Sequence, residues 1–380
     1  MLSPGGSWLC FALLVVLSRK NGFFIAKTAG RVKPICSQNF LQHRLKSGRR
    51  LVRLAGFMES PYLKTVRQRV VVFDGAMGTS IQSQKLGKED FLEGREGWNE
   101  GLVLSRPDVI AGIHESFLAV GCDVLETDTF GGSRIKLGEY GHGTPEDVYK
   151  FNFAGAQLAR RAADKFSTPE RPRFVAGSVG PSGMLPSTDD PDLGKITFDE
   201  LTALYAEQAK ALVEGGCDLL LIETSQDMLE VKAEIAGFRQ CFRDLGRSLP
   251  IQAQVTLDMS QRMLLGTDIG AAMTTLEALR VDVIGLNCST GPKEMRDSVR
   301  FLCENSRLPI SIIPNAGLPE NRDGHAVYPE TPTDLARHLR EFVEEFGVNI
   351  VGGCCGTTPD HMRAVIETLQ GVTPRKRNQN

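Results

Sequence analysis

Three thiols carry the most chemistry in this chain: Cys288 closes the run Gly285-Leu286-Asn287-Cys288, and Cys354-Cys355 lie between Gly352-Gly353 and Gly356. Thiolates are soft ligands, and three protein ligands with an open fourth position characterise a catalytic rather than a structural zinc site. The flanking glycines let the backbone bend sharply enough for adjacent cysteines to face one ion. Two other readings fit the same residues: small buried side chains, or a vicinal Cys354-Cys355 disulfide acting as a redox switch. Cys122, Cys217, Cys241 and Cys303 read as core packing. The run Asp74-Gly75-Ala76-Met77-Gly78-Thr79 is a glycine turn whose backbone N–H groups suit a carboxylate, or simply a turn. Asp74 and Glu223 suit a substrate ammonium, whereas Glu126 reads as a cap or brace. Asn287 and Asn315 can donate to a thiolate or carboxylate, or close Asx turns. Together these groups suit an amino-acid substrate.

Such distant residues meet only if the fold brings them together. From residue 70 onward, short β-branched runs alternate eight times with stretches of helical period. The expected strands cover 70–73, 123–126, 173–179, 218–223, 251–257, 282–287, 310–314 and 348–352. The expected helices cover 107–120, 145–165, 198–214, 228–245, 269–280, 293–305, 333–346 and 359–369. Strict alternation of this kind means parallel strands with right-handed crossovers, and eight repeats predict a single (β/α)8 TIM barrel. A weak repeat supports it, since Gly121-Cys122-Asp123 leading to Glu126-Thr127 is echoed by Gly216-Cys217-Asp218 leading to Glu223-Thr224. In a barrel the reactive groups stand at the C-terminal ends of strands, so Cys288 and Cys354-Cys355 converge at one mouth.

The 380 residues, 41% hydrophobic and 24% charged, suit a globular protein and exclude a disordered or collagen-like chain. Residues 1–57 hold ten Lys/Arg and no acid, leaving 34 basic against 46 acidic residues beyond them, which excludes a nucleic-acid binder. The apolar run 8–17 is too short to span a membrane, and no stable membrane insertion is expected. Residues 1–57 read as a dispensable or spurious leader, unstructured and irrelevant to catalysis; 58–373 read as the barrel and 374–380 as a basic tail. Nine cysteines in a chain of this length are too few for a disulfide scaffold and point to a reducing, cytoplasmic setting.

The ordered set Asp74 to Thr79, Glu126-Thr127-Asp128-Thr129-Phe130, Gly177 to Pro181, Gly285 to Cys288, Pro314-Asn315-Ala316-Gly317 and Gly352 to Pro359 resembles the homocysteine S-methyltransferase family. The likeness is strongest to the homocysteine-binding barrel of the cobalamin-dependent methionine synthases. It implies one zinc ion on Cys288, Cys354 and Cys355, a homocysteine thiolate as nucleophile, and methionine as product. Substrate contacts are implied for Asp74, Gly75, Ala76, Met77, Gly78, Glu223, Asn287 and Asn315. Asp128 departs from the pattern, standing where the family often has Asn. The implied methyl donor is methylcobalamin, or a corrinoid- or methylfolate-bearing partner. The alternatives are a stand-alone enzyme using S-methylmethionine or betaine, a metal-free thiol-redox barrel, and a non-catalytic homocysteine-binding module.

Overall fold

The computed structural model describes residues 60–322 and 325–373, with the backbone of 27–28 and 31–32. The expected leader, apart from those four residues, and the tail 374–380 lie outside the described residues. Two compact units are present, Met1–Met58 and Glu59–Asn380. In the first, Lys27–Thr28 pairs antiparallel with Arg31–Val32. The second is the barrel.

Its eight strands are β1 (Val71–Val72), β2 (Val124–Glu126), β3 (Phe174–Val179), β4 (Leu219–Ser225), β5 (Ile251–Val255), β6 (Val283–Asn287), β7 (Ile310–Ile313) and β8 (Ile350–Val351). All neighbours pair in parallel, and β8 pairs with both β7 and β1. A parallel bridge between Phe73 and Val124 joins β1 to β2 and closes the circle. The expected TIM barrel is therefore the observed fold, and each expected strand is found within two or three residues of its ends.

Four polar residues set the register at the base of the even strands. The carboxylates of Asp123, Asp218 and Asp282 accept the N–H groups of Val72, Val175 and Ile251, at 3.1, 2.8 and 2.8 Å. Asn349 does the same for Ile310 at 3.1 Å. The Gly-Cys-Asp repeat now has a physical reason. Gly121 and Gly216 end their helices in the left-handed conformation, and the Asp two residues later ties the incoming strand to its neighbour.

The helix Pro61–Gln68, not anticipated from the alternation, plugs the barrel. Tyr62 and Val66 are fully buried among Phe73, Phe174 and Leu221, and the Tyr62 hydroxyl donates to Gln252 at 2.6 Å. The expected helices recur closely, although the last turn after Pro332–Glu341 widens into a π-helix at Phe342–Phe346. Among the described residues, no helix is long and apolar enough to cross a membrane.

Candidate metal centre and substrate cavity

Cys288 follows β6 and Cys354-Cys355 follow β8, so barrel closure brings them to one rim. The Cys355 sulfur lies 3.8 Å from that of Cys288 and 3.9 Å from that of Cys354, and all three lie within 4.8 Å of one another. Thiolates at about 2.3 Å from a tetrahedral zinc ion stand about 3.8 Å apart, so donor type and spacing both fit such an ion. The three thiols crowd one another. Hydrogen bonds from Cys288 and Cys354 pull the Cys355 thiol far below its usual range, while contact with Cys288 and Cys355 pushes Cys354 well above it.

The backbone is built for this arrangement. Cys288 and Ser289 adopt positive φ of 58° and 62°, which turns the Cys288 side chain out of the strand's alternation. Its N–H is held by the carbonyl of Ile313 at 3.1 Å. On the other side, the Cys354 N–H bonds the Pro314 carbonyl at 2.8 Å, and Ala316 donates to the Cys355 carbonyl at 2.9 Å. Thr357, fully buried, donates to the Cys354 carbonyl at 2.7 Å and accepts the Ala76 N–H at 3.1 Å. A Cβ on Gly353 would collide with the Thr357 hydroxyl, so only glycine admits this contact.

A cavity of about 260 Å³ opens beside the sulfurs. Asp74, Gly75, Ala76, Met77, Gly78 and Glu223 all line it. The N–H groups of Met77, Gly78 and Thr79 open the short helix Met77–Gln82 and have no carbonyl to bond within it. Ala76 is different, since its N–H is already taken by Thr357.

Asn287 and Asn315 do not line the cavity. Asn287 works from behind it, accepting the Thr224 N–H at 2.7 Å and donating to the Thr224 hydroxyl at 2.8 Å and to Glu223 at 3.4 Å. Thr224 itself is held at a φ of 59°. Asn315 is buried at the next rim, its N–H on the carbonyl of Thr290 at 3.1 Å.

The cavity wall is strongly acidic. Both oxygens of Asp74 accept the Glu126 N–H at 3.2 Å, yet burial pushes this carboxyl well above its usual range. Glu223 accepts the hydroxyl of Ser178, and burial raises it to about 7. Burial also raises Glu126, helped by Glu223 and Asp74, and raises Asp128, helped by Glu100. Asn99 and Glu100 join the wall from a loop whose role the residue types did not reveal. The signal was Trp98: buried, it stacks on Tyr140 at 4.7 Å and packs at a tilt against Phe151 at 5.2 Å, anchoring the turn Asn99–Gly101.

Comparison with known proteins places this site in a family context. The sequence profile described as Homocysteine S-methyltransferase matches residues 71–369. The methionine synthase of Mycobacterium leprae is 43% identical over 321 residues, covering 83% of this chain and 26% of that protein. The methionine synthase of Mycobacterium tuberculosis is 43% identical over 314 residues, with coverage of 83% and 26%. The chain thus spans about a quarter of the length of these relatives. The metallated form of the homocysteine methyltransferase MmuM from Escherichia coli shares the fold, with a TM-score of 0.63 and 20% identity over 79% of this chain and 96% of that one.

Proposed function

The chain belongs to the homocysteine S-methyltransferase family, and from that premise we propose that it transfers a methyl group to the thiol of homocysteine to form methionine. The observation that carries the reading is a cluster of three thiols, spaced for one tetrahedral ion, at the edge of a carboxylate-walled cavity. Cys288, Cys354 and Cys355 would hold zinc, which when bound supplies the Lewis acidity that keeps a substrate thiol deprotonated at neutral pH.

The remaining work falls to the chain's own groups. Asp74 and Glu223 bind the substrate ammonium, and its arrival favours the ionised form of Glu223. Ser178 and Asn287 hold the Glu223 carboxylate in place. The N–H groups of Met77, Gly78 and Thr79 receive the substrate carboxylate. With both ends of the amino acid fixed, the sulfur attacks in line. The new S–C bond forms as the donor–carbon bond breaks, and that bond's electron pair leaves with the donor.

For the donor we propose a methylcorrinoid presented by a partner. Exposed Phe130, Leu193, Met259, Leu264, Leu265 and Leu318 all stand on loops that follow strand C-termini, giving the mouth an apolar rim suited to a large, flat group. The cavity has room for an amino acid but not for a corrinoid, so the methyl group would be delivered from the mouth. Nine cysteines in 380 residues are too few for a disulfide scaffold, which supports a reducing, cytoplasmic setting.

Zinc-loaded protein and homocysteine, incubated in parallel with methylcobalamin, S-methylmethionine and betaine, test this reading by the methionine formed. Methionine from methylcobalamin is expected. Turnover with S-methylmethionine alone would transfer the assignment to a small cationic donor. Binding of zinc and homocysteine without turnover would make the barrel a binding module, and reduced protein that takes up no zinc would favour the thiol-redox alternative.

A further inference from the structure

Five carboxyl groups, those of Asp74, Glu100, Glu126, Asp128 and Glu223, line one cavity that no lysine or arginine lines. One substrate ammonium cannot balance five like charges in a pocket of low dielectric, so part of this set must be neutral. Hydrogen-bond donors sort the members. Asp74 receives the Glu126 N–H, Glu223 receives Ser178 and Asn287, and Glu100 receives the Gly131 N–H at 2.7 Å; each of these contacts favours a carboxylate. Glu126 receives no such donor, its Oε1 having no hydrogen-bond partner among the described residues, and Asp74 and Glu223 beside it add to the burial that favours its neutral form.

Asp128 also lacks a donor, but the like charge beside it is Glu100 rather than the Asp74 and Glu223 pair. Asp128 is only 6% exposed, it lines the cavity, and its Oδ2 has no hydrogen-bond partner among the described residues. A buried carboxylate without donors is costly, whereas a buried carboxylic acid that can offer its proton to a ligand is not. The charged group facing Asp128 is Glu100, from the turn Asn99–Gly101, and near Glu100 lie Lys136 and Glu139. Burial and this like charge both favour the proton staying on Asp128.

Its position in the barrel indicates what it meets. Asp128 follows β2 and the N–H groups of Met77 to Thr79 follow β1, and the Phe73–Val124 bridge makes these strands neighbours. We propose that Asp128 stands in the cavity as a neutral carboxylic acid and donates a hydrogen bond to the α-carboxylate of the bound amino acid, beside those N–H groups. The proton remains on Asp128 throughout. This assignment rests on the homocysteine reading and adds a specificity residue to it, since a thiol lacking the carboxylate gains nothing from Asp128.

The test uses calorimetric binding to zinc-loaded, full-length protein of two thiols: homocysteine and its decarboxylated analogue, aminopropanethiol. Asp128→Asn, which presents a permanent donor of the same shape, should keep homocysteine affinity within about twofold at neutral pH. It should also remove the extra weakening that the unsubstituted protein shows toward alkaline pH as Asp128 ionises. Asp128→Ala should weaken homocysteine roughly tenfold or more, the effect of losing a hydrogen bond to a charged group, and leave aminopropanethiol unaffected. Equal weakening of homocysteine by Asn and Ala, matched by the same loss for aminopropanethiol, would make Asp128 an anion gripping the ammonium and overturn the proposal. Unsubstituted protein that binds neither thiol would instead overturn the homocysteine reading, and this assignment with it.

Discussion

Replacing Thr357 by Val keeps shape and volume but removes the hydroxyl that links the first strand's loop to the cysteine turn, 281 residues away in sequence. Two contacts go at once. The Ala76 N–H, which that hydroxyl accepts at 3.1 Å, is left unsatisfied in a buried position, at a cost of about 1 to 3 kcal/mol. The Cys354 carbonyl loses the 2.7 Å bond but keeps the Thr357 N–H at 3.1 Å, so this second loss is worth only about 1 kcal/mol. Thr357→Val should therefore lower unfolding free energy by about 2 to 4 kcal/mol in urea titrations of metal-free protein. Because Cys354 is positioned through that carbonyl, zinc affinity measured against a chromophoric chelator should also fall, by roughly tenfold or more. Thr357→Ser keeps the hydroxyl and loses only a buried methyl, about 1 kcal/mol, with zinc affinity unchanged. If Val and Ser proved equal in both assays, the hydroxyl would not be the tie between the two loops.

Cys288→Ser or Cys354→Ser should each lower the zinc content from about one per chain after dialysis against a chelator, and undiminished zinc would remove that residue from the ligand set. Glu223→Gln should raise the homocysteine KM with little change in kcat; an unchanged KM with a large loss of kcat at saturation would make Glu223 part of the chemical step. His114 is fully buried with both ring nitrogens unpartnered, and burial lowers it to about 4. The unfolded chain takes up this proton below about pH 6.5 and the folded one does not until about pH 4, so stability is full above that window and falls through it as pH drops. The fall should reach about 2 kcal/mol by about pH 5 and be absent in His114→Leu, and equal pH slopes for the two proteins would contradict this. A chain beginning at Met58 should fold and retain activity, which insolubility of that shorter chain alone would refute.

The parts of this structure that can be read from sequence are those with local causes. β-branched runs and helical period locate eight strands and eight crossover helices, and topology then carries Cys288 and Cys354-Cys355 to one rim, because β6 and β8 flank β7 in the closed sheet. The helix Pro61–Gln68 escapes such reading because its meaning is nonlocal: Tyr62 fills the barrel only when Gln252, 190 residues later, is there to receive its hydroxyl. Asn287 illustrates a finer limit. Its type suits a donor in the cavity, but the left-handed turn beginning at Cys288 directs the sulfur toward the other thiols and leaves the amide behind the wall, bracing Glu223 and Thr224.

The acidity of the cavity is the least local property of all. Glu100 reaches the wall through a loop held by Trp98, stacked on Tyr140 and packed against Phe151, while Asp74, Glu126, Asp128 and Glu223 arrive from three strand ends. No one of these residues is unusual among 46 acids. Their concentration without a cation makes protonation a shared property of the group, decided by which members receive hydrogen bonds from the backbone and from Ser178 and Asn287. A barrel mouth that gathers more carboxyl groups than its substrate has positive charges can thus use one member as an anion and another as a neutral donor. That division of labour allows an amino acid to be held at both ends by side chains of a single chemical type.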